Sequence, residues 1–146
     1  MNIIFFTQSR SLDVFYQILL RINNVLSIDK VGFYVSNKAY YRNFIIQHPD
    51  FEETYNVIKE WKIYEEAKAK EVSFEEIEQY EKEIGNPNLW APIVTDRRLY
   101  FGKKITFSQD YKPYFKYYQQ MQILNVALKS IDQLFNHVRP DLICTL

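Results

Sequence analysis

Two short, uninterrupted apolar runs limit what this chain can fold into. The first, Asn2–Thr7 (NIIFFT), and the second, within residues 30–37 (KVGFYVSN), are rich in β-branched and aromatic residues. Such runs are typical of strands that are buried on both faces, as in parallel sheets. An amphipathic segment follows each run, the first with Ser11 as the expected N-cap and the second ending before Pro49. The alternation predicts an α/β fold.

The middle of the chain changes to a charged helical pattern. We expect a third, weaker strand within residues 55–58 and charged helix over residues 59–84. Ser73 and Glu76 have the spacing of a capping box, and Gly85 is the expected C-cap. This region is predicted to be mostly a solvated surface.

The sequence pattern of the last third of the chain predicts a turn, a long helix and a final strand. A short helix or turn is expected within residues 87–102, and Ser108 or Asp110 is expected to begin a helix that ends near Val138. After Pro140, residues 141–146 (DLICTL) have the pattern of another buried parallel strand. The predicted apolar stripe of the long helix comprises Tyr114, Tyr117, Tyr118, Met121, Leu124, Leu128, Ile131, Phe135 and Val138.

Right-handed crossovers between these elements predict a doubly wound, mainly parallel sheet with helices on both faces and the strand order third, second, first, fourth. A final strand with no helix after it leaves one sheet face uncovered, whereas parallel sheets are covered on both faces. We therefore expect residues 1–146 to form a single Rossmann-like N-terminal domain, half of a two-domain protein and a fragment of a longer chain.

Charge and cysteine content exclude several classes of protein. Eighteen basic residues balance eighteen acidic ones, so no net field favours nucleic acid. Cys144 is the only cysteine and has no partner for an internal disulfide, which favours a cytoplasmic protein. The first residues lack the charge pattern and the long apolar run of a signal peptide or membrane span, so no integral membrane segment is predicted.

The loop at residues 8–11 is the first candidate substrate-binding site. In open α/β sheets, ligands bind beyond the carboxyl ends of the strands, where the strand order reverses. Gln8, Ser9, Arg10 and Ser11 lead from the first strand into a helix N-terminus, which favours anions. The alternative is a capped turn with a solvent-exposed arginine. The chain has only three glycines, so no nucleotide-binding loop and no cofactor are predicted in this domain, and no histidine pair predicts a metal site.

Asp96, Arg97 and Arg98 are the strongest polar feature of the sequence, within the apolar stretch LWAPIVTDRRLYFG. Arginine suits phosphate or carboxylate because its planar fork binds two oxygens at once. Consecutive helical residues point about 100° apart, so both arginines face one partner only in an irregular turn. A substrate-binding edge and a structural ion cluster both stand as interpretations.

The stretch NLWAPIVTDRRLYFGK, the aromatic run that opens the long helix and the closing HVRPDLICTL resemble the N-terminal region of bacterial capsular or surface polysaccharide biosynthesis proteins. These are glycosyltransferase-like enzymes in which two Rossmann-type domains face a cleft. The resemblance implies that this domain shapes the acceptor side and contacts a sugar or glycan acceptor. It also implies that the C-terminal domain of the same chain holds the nucleotide-sugar donor.

The resemblance implies a cytoplasmic location, peripheral to the inner membrane through a biosynthetic complex, and predicts that the fragment alone is inactive. It transfers no catalytic residue; Asp96 is the nearest candidate, by location alone. The alternative function is a non-catalytic α/β interaction module, whose exposed final strand or aromatic helix docks a partner or self-associates.

Overall fold

The protein folds around a four-stranded parallel sheet. The structure is a computed structural model that describes residues 1–8, 10–95 and 115–145. The strands are β1 (Asn2–Thr7), β2 (Lys30–Val35), β3 (Asn56–Lys59) and β4 (Leu142–Thr145). Their order in the sheet is β3-β2-β1-β4, as the sequence predicts. The described helices are α1 (Ser11–Ile22), α2 (Lys38–Gln47), α3 (Phe51–Thr54), α4 (Glu60–Ala67), α5 (Phe74–Ile84), α6 (Trp90–Thr95) and α7 (Tyr117–Val138).

The central strand β1 is buried on both faces. Successive side chains of a strand point to opposite faces, so Ile3 and Phe5 pack on one side and Ile4 on the other. The first face is covered by apolar residues of α1 and α2, and the second by Leu134 and Val138 of α7. The predicted fold class, an α/β doubly wound and Rossmann-like sheet with helices on both faces, is confirmed.

The chain divides into two compact units, Met1–Ile63 with Ser130–Leu146, and Tyr64–Lys129. The first unit contains the sheet. The second has a small core of its own, in which Ile77, Met121 and Leu124 are buried. The single domain over residues 1–146 stays a prediction, as does the longer parent chain.

The predicted N-cap and C-cap of α5 are confirmed, but the second bond of a capping box is not made, because the Ser73 amide donates to Asn125 Oδ1 at 3.0 Å instead of to Glu76. The Ser73 side chain accepts a hydrogen bond from the Glu76 amide at 3.2 Å, and Gly85 closes the helix in the left-handed conformation with φ 71°. Both features satisfy backbone groups that the ends of the helix would otherwise leave unpaired.

The long helix α7 differs from its prediction in two respects, its exposed tyrosines and its first residue. Met121, Leu124 and Val138 are buried as expected, but Tyr117 and Tyr118 are 57% and 50% exposed. The stripe prediction is wrong for these two tyrosines, because apolar spacing alone does not tell where along a helix its packing partner begins. Ser108, Asp110 and Tyr114 lie outside the described residues. The predicted continuous helix from Ser108 or Asp110 to Val138 is nevertheless wrong, because α7 begins at Tyr117 and the described residues 115 and 116 before it are not helical. Among the helices that the structure describes, none has the length and hydropathy of a membrane-spanning segment.

Candidate functional site

The carboxyl ends of the strands meet along one edge of the sheet. The register pairs Thr7 of β1 with Val35 of β2, and Val35 with Lys59 of β3, while Thr145 of β4 pairs with Phe6. The last residues of all four strands therefore lie side by side. This is the edge at which open α/β sheets bind their ligands.

The strand order reverses between β1 and β4. The chain moves from β1 outward to β2 and β3, and then returns to place β4 on the other side of β1. In open α/β sheets, a reversal of strand order of this kind is the place where a ligand-binding crevice commonly forms beyond the strand ends. The β1–α1 loop, residues 8–11, begins here.

Hydrogen bonds fix the base of this edge. The buried Thr7 donates from Oγ1 to the Tyr34 carbonyl at 3.0 Å, and Ser36 donates from Oγ to the Thr7 carbonyl at 3.1 Å. Asn37 caps α2 by accepting the Tyr40 amide at 2.9 Å. These hydrogen bonds join the ends of β1 and β2 and the start of α2 beneath the loops.

Ser11 does not cap α1 as the sequence predicts. It is the first residue of the helix, and Arg10 holds the N-cap position with helical dihedral angles and no side-chain cap. The Ser11 hydroxyl instead donates to the Gln8 carbonyl at 2.8 Å and accepts the Gln8 amide at 2.7 Å. The N-cap prediction is wrong because the backbone already turns helical at Arg10, so the hydroxyl pairs backward within the turn.

Gln8 and Arg10 have exposed side chains on the β1–α1 loop. An amide offers both donors and acceptors, and a guanidinium offers five donors, so together these side chains suit hydroxyl and anionic oxygen groups. The Ser11 hydroxyl already hydrogen-bonds to the Gln8 backbone, so Ser11 stabilises the conformation of the loop. Ligand contact by this loop stays a prediction.

The structure shows a polar contact near this loop, between Tyr40 and Asp13, that the sequence does not predict. The Tyr40 hydroxyl donates a hydrogen bond to the Asp13 carboxylate, which joins the first turns of α1 and α2. This hydrogen bond raises the pKa of Tyr40 above its ordinary value, whereas the positive charge of Arg10 acts on it in the opposite sense. Asp13 is an acidic residue in the first turn of α1, and no local sequence pattern signals its partner on another helix.

The remaining candidates, Ser9, Asp96, Arg97 and Arg98, lie outside the described residues. Within the described part of the chain, no group of three histidine, cysteine or acidic residues is arranged to hold a metal ion. Neither interpretation of the Asp96-Arg97-Arg98 cluster is tested.

Comparison with known protein families, curated proteins and solved structures finds no match for this chain. The strand topology and the geometry of the β1–α1 loop are therefore the physical basis for a functional proposal.

Proposed function

We propose that this chain is the N-terminal, acceptor-side domain of a glycosyltransferase-like protein in capsule or surface polysaccharide biosynthesis. The observation that carries the proposal is the parallel strand order β3-β2-β1-β4, because it places the β1–α1 loop at the reversal point of the sheet. The resemblance of the sequence supplies the reaction class. The protein then works in the cytoplasm, peripheral to the inner membrane within a biosynthetic complex.

The exposed side chains of the loop suit a saccharide. The Gln8 amide pairs with sugar hydroxyls as donor and acceptor, and the Arg10 guanidinium pairs with a carboxylate or phosphate on an acidic glycan. The three glycines of the sequence, at positions 32, 85 and 102, do not have the spacing of a phosphate-binding loop. The nucleotide-sugar donor is therefore assigned to a second domain of the parent protein, and this chain alone is expected to transfer no sugar.

Calorimetric titration with acidic oligosaccharides prepared from bacterial capsular polysaccharides tests the proposal. We expect binding that Arg10→Ala weakens about tenfold, as the loss of one charge-assisted contact predicts. Arg21→Ala is the matched control, since Arg21 is an exposed arginine in the last turn of the same helix. Equal binding by the Arg10→Ala and Arg21→Ala proteins contradicts a role for the loop, and sugar transfer by this chain alone contradicts the division of labour.

A second candidate function is an interaction module. Strand β4 lies at an edge of the sheet, and Leu142 and Ile143 are 44% and 47% exposed. An edge strand with exposed apolar side chains favours strand pairing with another chain. Sedimentation of the wild type and of Ile143→Lys tests this function: association that the lysine abolishes supports it, and a monomeric wild type at high concentration contradicts it.

A further inference from the structure

A shallow groove lies beside the edge strand β3, away from the reversal point between β1 and β4. Its open volume is about 310 Å³. Residues from α2, α3, the end of β3 and the first turn of α4 line it. They are Lys38, Tyr41, Arg42, Ile45, Glu52, Lys59, Trp61 and Lys62, and we call this surface the cationic groove.

The lining of the cationic groove is net positive, although the chain as a whole is neutral. Four of its residues are cationic and one is acidic, which gives the lining a formal charge of +3. The whole chain has a formal net charge of zero. A concave surface of one sign attracts ligands of the opposite sign, so this lining suits an anionic ligand.

The aromatic side of the cationic groove is held in place by hydrogen bonds. The Tyr41 hydroxyl donates to Glu52 Oε1 at 2.8 Å, and Lys59 Nζ lies 2.6 Å from Glu52 Oε2. The same ammonium group is 5.4 Å from the centre of the Tyr41 ring. Tyr41 is 3% exposed, so it forms a fixed support rather than a mobile rim.

Trp61 provides an apolar surface against this support. Its ring centre lies 5.4 Å from that of Tyr41, with the two planes inclined at 54°. Trp61 itself is partly exposed, and the exposed residues Arg42 and Lys62 line the same groove. An aromatic ring next to cations matches a ligand with an apolar ring face and an anionic group.

We propose that the cationic groove binds a phosphorylated monosaccharide, with the sugar ring against Trp61 and the phosphate at Arg42 and Lys62. Arginine binds phosphate through two parallel hydrogen bonds, and lysine adds a point charge. The volume is at the lower end of small-molecule sites, about 300 to 1,000 Å³, and so suits a ligand of one or two rings. This site does not depend on the proposed function, because it uses none of the residues of the β1–α1 loop.

Tryptophan fluorescence measures this binding directly. The chain has two tryptophans, Trp61 and Trp90, so a Trp90→Phe protein reports on Trp61 alone. We expect glucose 1-phosphate to change this signal in a saturable way. Glucose and inorganic phosphate, as separate probes, are expected to bind at least about tenfold more weakly, because each lacks one of the two contacts.

Substitutions in the same background complete the test. Arg42→Gln and Lys62→Gln are each expected to weaken glucose 1-phosphate binding several-fold, since each removes a cation from the lining. Arg21→Gln is the control and is expected to bind as the parent does. No saturable signal, equal binding of inorganic phosphate and glucose 1-phosphate, or unchanged binding by both groove variants overturns the proposal. These outcomes are separate from the oligosaccharide titration, which reports on Arg10.

Discussion

Gly32 of β2 packs so closely against Leu134 of α7 that a Cβ atom on the glycine would lie 2.9 Å from Leu134 Cδ1. The same atom would be 3.1 Å from Val138 Cγ2 and 3.3 Å from Ile4 Cγ1. Side chains almost never approach a Cβ atom this closely. The absence of a side chain at Gly32 therefore lets the C-terminal part of α7 pack against the sheet.

Gly32→Ala is expected to lower the free energy of unfolding by about 1 to 3 kcal/mol, because overpacking a filled core forces neighbouring side chains to shift. Urea denaturation measures the change. In the background of Leu134→Ala the same substitution is expected to cost less, since the closest atom is gone. An equal cost in both backgrounds contradicts the contact as the cause.

Gly85→Ala tests a different cause of destabilisation. Nothing lies within 4 Å of a Cβ atom at Gly85, but its φ of 71° is in the left-handed region. We expect a loss of about 1 kcal/mol from backbone strain alone. Gly85→Asn is expected to lose less, because asparagine tolerates this conformation better than alanine. Thermal unfolding that ranks asparagine below alanine contradicts this explanation.

Asn125 is expected to stabilise the second compact unit through buried hydrogen bonds. It is buried, accepts the Ser73 amide at 3.0 Å and donates to Glu76 Oε2 at 2.9 Å, so it joins α7 to the first turn of α5. Asn125→Ala leaves both groups without this partner and is expected to cost about 1 to 3 kcal/mol. Asn136→Ala, at an exposed position of the same helix, is the control. Equal unfolding midpoints for the two variants contradict the expected role.

Glu52 links stability to pH. The hydrogen bond from Lys59 is the main cause that holds the pKa of Glu52 below its ordinary value. A carboxylate with a lowered pKa stabilises the folded state above its unfolded pKa, and this contribution is lost as the pH falls through the folded pKa. We therefore expect Glu52→Gln to lower stability at neutral pH, with a difference from wild type that shrinks below about pH 4.

Denaturant titrations across this acidic range measure the Glu52 effect. Glu53→Gln is the control, since Glu53 is the next, exposed residue of α3. A difference between the wild-type and Glu52→Gln proteins that stays constant from neutral pH to about pH 3 contradicts the linkage. A pH-dependent change of the same size in Glu53→Gln does so as well.

The fold was predictable because its signals are local. The apolar run NIIFFT encodes β1 in six adjacent residues, and Ser73 with Gly85 encodes the ends of α5. The side-chain partners were not predictable, since they depend on residues distant in the chain. Tyr40 with Asp13 and Tyr41 with Glu52 are hydrogen bonds between separate helices. The cationic groove depends on such pairs, and no spacing in the sequence indicates it.

The central claim, that the β1–α1 loop is a saccharide-binding edge, is tested most directly by amide chemical shifts in a nuclear magnetic resonance titration. The probe is an acidic oligosaccharide from a bacterial capsular polysaccharide, added to the wild type and to Arg10→Ala. We expect saturable shifts of the amide signals of Gln8, Arg10 and the first turn of α1, and we expect Arg10→Ala to lose them. Absent shifts in the loop, or the same shifts in Arg10→Ala, would contradict the claim.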